Sequence, residues 1–229
     1  TLWGTVMEQR IIGTLAVLAA FAAAPARASE DTAYWQNLNL TVNLGEQFRV
    51  SSETSLRSSD ARGLYQLQQV FMLGYKPVRN VTVAAGYVHT PQYSQGDFTV
   101  MERRFRQQVS IDDIAKAGPF KIGTRIRSEQ RWREGASGTA WRLRPSIRGS
   151  ARLVGKINLN LNHESFINLT TTSFQRQTGY DRMRNTAAFS VPASRHLGVE
   201  IGYTNQRAIV RGGPDSTDHV LVTSLNATF

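Results

Sequence analysis

The stretch Phe120-Lys121-Ile122-Gly123-Thr124-Arg125-Ile126-Arg127-Ser128-Glu129-Gln130-Arg131-Trp132-Arg133 alternates almost without interruption. Phe120, Ile122, Thr124, Ile126, Ser128, Gln130 and Trp132 share one parity. Lys121, Gly123, Arg125, Arg127, Glu129, Arg131 and Arg133 share the other. A period of two is that of a β-strand, whose successive side chains point to opposite faces. The polar face here is a row of arginines around one glutamate, and the pattern recurs in the next segment, where Arg142 and Arg144 alternate with Trp141 and Leu143. An apolar outside with a polar lumen is the pattern of a closed barrel in lipid.

The chain around this stretch divides into further strands of the same kind. Candidates run near Tyr34–Asn43, Gln47–Arg57, Leu64–Lys76, Asn80–Thr90 and Phe98–Asp112 before it. After it come Thr139–Leu153, Lys156–Ile167, Phe174–Val191, Arg195–Gln206 and Asp218–Phe229. Tight turns such as Leu44-Gly45-Glu46, Ala117-Gly118-Pro119 and Val154-Gly155 separate some of them. Longer polar links separate the others: Ser58–Gly63, Pro91–Asp97, Glu134–Gly138, Asn168–Ser173 and Arg207–Thr217. Short and long connections in alternation mark an outer-membrane barrel. The expected fold is all-β, a transmembrane antiparallel up-and-down β-barrel of about ten to twelve strands. Even strand numbers are the rule for single-chain bacterial barrels, so the first segment is expected to be an incomplete strand or a plug, or another strand to be split.

Composition agrees. The 229 residues contain no cysteine, so a closed barrel has to supply the stability that disulfides give many exported domains. Residues 1–28 read as upstream sequence plus a signal peptide: Met7 as the start, an apolar run from Ile11 to Ala24, and cleavage after Ala28. Residues 29–229 then form the barrel. The net charge of +10 becomes +9 once Arg10, Arg27 and Glu8 are removed with the leader. In an exported protein whose basic residues lie along strand faces, this charge argues against nucleic acid as a partner. Outer-membrane lipid and lipopolysaccharide are the expected partners.

Parity assigns the charged residues. Glu102, Glu129, Glu164 and Glu200 are expected in the lumen with Arg104, Arg106, Arg125, Arg127, Arg131, Arg142 and Arg144. Such a set either pairs internally and fills the barrel or lines a pore that favours anions. A small pore is the leading expectation and a barrel closed by Arg–Glu pairs the alternative. Trp35, Tyr75, Tyr87, Trp132, Trp141 and Tyr203 lie near strand ends and are expected in interfacial girdles. The last strand places Leu221, Thr223, Leu225, Ala227 and Phe229 on one face. A terminal aromatic of this kind is similar to the signal read by the barrel-assembly machinery.

Several segments together resemble one bacterial outer-membrane family. They are Glu102-Arg103-Arg104-Phe105-Arg106-Gln107-Gln108, Arg125 through Trp132, Trp141-Arg142-Leu143-Arg144, Glu164-Ser165-Phe166-Ile167-Asn168, Gln175 through Gly179, and Gly202 through Gln206. In this order they resemble the barrel family known as domain of unknown function 2490. The resemblance covers nearly all of residues 29–229. It implies an outer-membrane barrel and carries no activity, cofactor or catalytic residue.

The residues themselves point to no enzyme. A lipid-modifying enzyme is the least favoured reading. Only His163-Glu164-Ser165 invites a nucleophilic relay, and parity sends Glu164 to the opposite face. Four scattered histidines without cysteine offer no metal-ligand spacing.

Overall fold

The computed structural model describes residues 29–229. The leader expected within residues 1–28 lies outside the described residues. Eleven strands follow in order: β1 (Ser29–Leu44), β2 (Phe48–Ser59), β3 (Gly63–Val78), β4 (Val81–Ser94), β5 (Asp97–Ala117), β6 (Phe120–Arg133), β7 (Ala140–Val154), β8 (Ile157–Asn168), β9 (Gly179–Pro192), β10 (Leu197–Ala208) and β11 (Ser216–Thr228). Each pairs with its sequence neighbours in antiparallel ladders, and β1 meets β11 to close the barrel. Among the described residues no helix is long and apolar enough to cross a membrane, which says nothing of strands.

The first segment is neither a plug nor an incomplete strand. It is a full strand that holds the closing seam, so the count is odd. In an up-and-down barrel with an odd count, the first and last strands run in the same direction. The β1–β11 pair is accordingly parallel, with Ala33 opposite Val220 and Leu38 opposite Leu225. A parallel ladder is slightly less stable per residue than an antiparallel one. The seam is long, and Phe229 extends it: its N–H donates to the Thr41 carbonyl at 2.9 Å, and its carbonyl accepts from the Asn43 N–H at 2.8 Å.

Connections 45–47, 79–80, 118–119, 155–156 and 193–196 lie at one end. Connections 60–62, 95–96, 134–139, 169–178 and 209–215 lie at the other. The two links expected to be long around residues 60 and 95 are tight, because β2, β3, β4 and β5 extend further toward that end than their polarity suggested. Turn chemistry explains the extension: Gly63 and Gly96 both take positive φ, which glycine adopts without steric cost.

The outer face carries the apolar parity, as the alternation requires. Ile126, Ile147, Val199, Ile201, Leu221 and Leu225 are all exposed on it. Tyr75, Tyr87, Trp132, Trp141 and Tyr203 are exposed with them. Trp35 departs from the girdle expectation: it is only 6% exposed, in a cluster with Ala33, Val220 and Val222. It shares the inward parity of β1, and its indole N–H donates to the Tyr65 hydroxyl at 2.6 Å. A second inward apolar cluster joins Val70, Met72, Ala84 and Val88 of β3 and β4. The lumen wall is therefore partly apolar at β1, β3, β4 and β11. At Gly86 the neighbouring strand comes so near that a Cβ would stand 1.9 Å from the Phe71 carbonyl oxygen.

Candidate functional site

Inward arginines cannot sit in a narrow lumen without partners, because a desolvated charge left unpaired is costly. Strands β5, β6 and β7 solve this by register. Arg106 lies directly opposite Glu129, and Glu129 directly opposite Arg142. The Glu129 carboxylate is fully buried and accepts from Arg106 Nη2 at 3.0 Å, Arg142 Nη2 at 2.6 Å and Arg144 Nη1 at 2.9 Å. Toward the long-loop end, Glu102 is also fully buried and binds Arg104 at 2.7 Å, Arg131 at 2.9 Å and Arg133 at 2.9 Å. Glu164 of β8 accepts from Arg125 at 2.6 Å and from Arg144 at 2.7 Å. Arg144 thus bridges two carboxylates.

Aromatic rings add a second set of contacts to these guanidinium groups, and Arg184 also lies 3.9 Å from the Glu164 carboxylate. The Trp35 ring meets Arg57 at 4.2 Å and Arg184 at 4.7 Å. Phe166, almost completely buried, meets Arg144 at 4.4 Å, Arg184 at 4.7 Å and Arg142 at 5.2 Å. A planar guanidinium stacks on such faces, each contact adding about 0.5–2 kcal/mol. Arg127 bonds only the Gln108 amide oxygen, at 2.8 and 3.0 Å. Arg182 has a buried Nε with no partner.

Between these groups lies a cavity of about 300 Å³. Eleven arginines line it against two glutamates, Glu53 and Glu102. Glu129 and Glu164 stand behind the arginines and do not reach the cavity wall. The positive surplus therefore faces the open volume, where the local field favours an anion.

A family model described as "Protein of unknown function (DUF2490)" matches residues 32–217. The chain belongs to the DUF2490 family. It is also 27% identical over 222 residues to an uncharacterized protein of Methylorubrum extorquens, covering 94% of this chain and 95% of that one. No solved structure gives a significant match.

In this DUF2490 barrel, Glu102, Arg104, Arg106, Arg125, Glu129, Arg131, Arg142, Arg144 and Glu164 meet in one network, joined by Arg144 and by Arg104, which reaches Glu129 at 3.9 Å. Arg127 lies beside it without a carboxylate partner. Glu200 stands apart: its carboxylate accepts from the Asn160 amide at 2.9 Å and meets no arginine. Its strand, β10, lies three strands from β7, as the up-and-down order requires. Sequence reasoning missed Glu53, which reaches Arg106 at 3.6 Å, and the cavity-lining Arg57, Arg182 and Arg184. Glu53 and Arg57 do share one parity in β2, a usable signal, but the serines around them hide it.

Among the described residues, no group of three acidic, histidine or cysteine side chains could hold a metal ion. On the outer face, His163 and Ser165 do meet, with Nε2 to Oγ at 3.1 Å. The third group beside them is Asn185 of β9, 2.7 Å from His163 Nδ1. Glu164 points inward, as parity required.

Proposed function

We propose that this chain is an integral barrel of the bacterial outer membrane whose basic lumen admits small anions. The observation that carries this reading is the cavity lined by eleven arginines and two glutamates. A wall of that charge concentrates anions and repels cations, as charged rings do in selective pores. The apolar outer face fits hydrocarbon, and placing arginines there instead would cost roughly 2–4 kcal/mol each near the midplane. Arg103, Arg176 and Arg211 are exposed toward the long-loop end, where phosphate-bearing lipopolysaccharide would meet them.

Heat-modifiable gel migration and resistance to carbonate extraction test the membrane placement. A fully soluble periplasmic product contradicts it. Bilayer recordings under a salt gradient test the lumen. Anions should carry most of the current, and Arg57→Gln with Arg184→Gln should lower that preference. Neither residue has a carboxylate within hydrogen-bond distance, so their loss leaves the Glu129 and Glu102 clusters intact.

One observation favours a closed barrel instead: Glu102 and Glu129, at 0% exposure, bind arginines from three strands. On that reading the native protein is electrically silent, and the network serves stability alone.

A further inference from the structure

Strands β8 and β9 gather four polar side chains on the outer face, where most neighbours are apolar. His163 and Ser165 stand two apart on β8 and so project from the same face. Asn185 is the direct cross-strand partner of His163. Tyr180, at the start of β9, places its hydroxyl 3.3 Å from Ser165 Oγ. His163 Nδ1 lies 2.7 Å from Asn185 Oδ1, and His163 Nε2 lies 3.1 Å from Ser165 Oγ. A carboxamide oxygen only accepts, so the neutral imidazole carries its proton on Nδ1. Nε2 then presents a lone pair to the serine hydroxyl. A nucleophile, a base and a group that orients the base are the three parts of a hydrolytic triad, recognised by geometry and not by order in the chain.

We propose that Ser165, His163 and Asn185 form a hydrolytic triad that cleaves acyl esters of membrane lipids at the outer surface of the barrel. The surroundings fit that substrate. A groove of about 340 Å³ begins at His163 and Asn185 and is lined by Phe120, Ile122, Ile147 and Leu161. It runs from the triad toward the short-turn end, since Phe120 follows the 118–119 turn. Ser165 lies close to the opposite end of β8, which terminates at Asn168 beside the longest loop. An acyl chain in the groove would therefore point toward the membrane interior, with its ester at Ser165 and its head group at the rim. A lipid in the leaflet on that side has the same orientation.

The reaction balances with water as the only co-reactant. Ser165 Oγ bonds to the acyl carbon while its proton passes to His163 Nε2. The carbonyl oxygen takes the electron pair, and the Tyr180 hydroxyl donates to it. The carbon–oxygen bond to the alcohol then breaks, and His163 returns the proton to the departing oxygen. Water attacks the acyl-serine, gives its proton to His163, and releases the fatty acid with Ser165 restored. Asn185 acts as a positioning residue, holding the imidazole in the productive tautomer.

The proposal rests on the membrane placement given above, and it is independent of anion passage through the lumen. The test uses the full chain refolded in detergent micelles, with heat-modifiable migration as the folding control for every variant. The probes are dioleoyl phosphatidylglycerol in mixed micelles and an alkyl fluorophosphonate. Fatty acid release and one covalent adduct on Ser165 are expected. Ser165→Ala and His163→Ala should each lower turnover by roughly 10³-fold or more. Asn185→Ala should lower kcat with little change in KM, and Asn185→Asp should restore it. Folded protein that neither releases fatty acid nor takes the adduct overturns the proposal, as does hydrolysis that survives Ser165→Ala. Should the chain fail to insert into lipid vesicles, the membrane placement falls. Hydrolysis of the soluble p-nitrophenyl butyrate would then still decide the triad.

Discussion

Replacing Glu129 by glutamine tests how the lumen is held together. The carboxylate accepts five hydrogen bonds from three guanidinium groups, between 2.6 and 3.2 Å. A carboxamide keeps one acceptor oxygen and turns two donor hydrogens toward groups that are themselves donors only. Arg144 retains Glu164 at 2.7 Å, and Arg106 retains Glu53 at 3.6 Å. Arg142 has no second carboxylate and keeps only the face of Phe166. One buried guanidinium is thereby left uncompensated, at a cost of about 3–5 kcal/mol. For a domain of this size that corresponds to a fall in melting temperature of roughly 6–20 °C. The assay is thermal unfolding in detergent, followed by loss of β-sheet circular dichroism. Glu200→Gln is the control: Glu200 bonds Asn160 alone, so its loss should cost about 1 kcal/mol or less. Adding Arg142→Gln to Glu129→Gln should recover part of the loss, because the two residues share one interaction. Equal melting temperatures for the two single variants would refute the view that Glu129 neutralises a desolvated cluster.

The outer face and the strand spacing give two further tests. Ile126→Arg should impair assembly by placing a charge in hydrocarbon, at roughly 2–4 kcal/mol near the midplane, whereas Arg127→Ile should insert normally; free assembly of Ile126→Arg would mean that this face meets water. Gly86→Ala should lower stability by about 1–3 kcal/mol, since the new methyl group would meet the Phe71 carbonyl oxygen and force the β3–β4 ladder apart; unchanged unfolding in urea would contradict that close approach.

Much of the barrel was legible in the chain because side-chain direction in an extended backbone is local. Phe120–Arg133 shows both faces without any knowledge of its neighbours, and the same parity correctly sends Glu164 inward and Ser165 outward. Trp35 lies near a strand end, as a girdle residue would, but its parity in β1 turns it into the lumen. Indole is large and amphipathic, and stacking with Arg57 and Arg184 makes the lumen a favourable place for it.

A closed β-barrel with an arginine-rich interior is legible in the chain, since a period of two is written residue by residue. Only the folded sheet shows the parallel seam between β1 and β11 and which arginines meet which carboxylates. It also brought Asn185 to His163 from 22 residues away. These are matters of register between strands. Sliding a ladder by two residues preserves every face and changes every partner, so the faces can be read from the chain while the partners require the closed sheet.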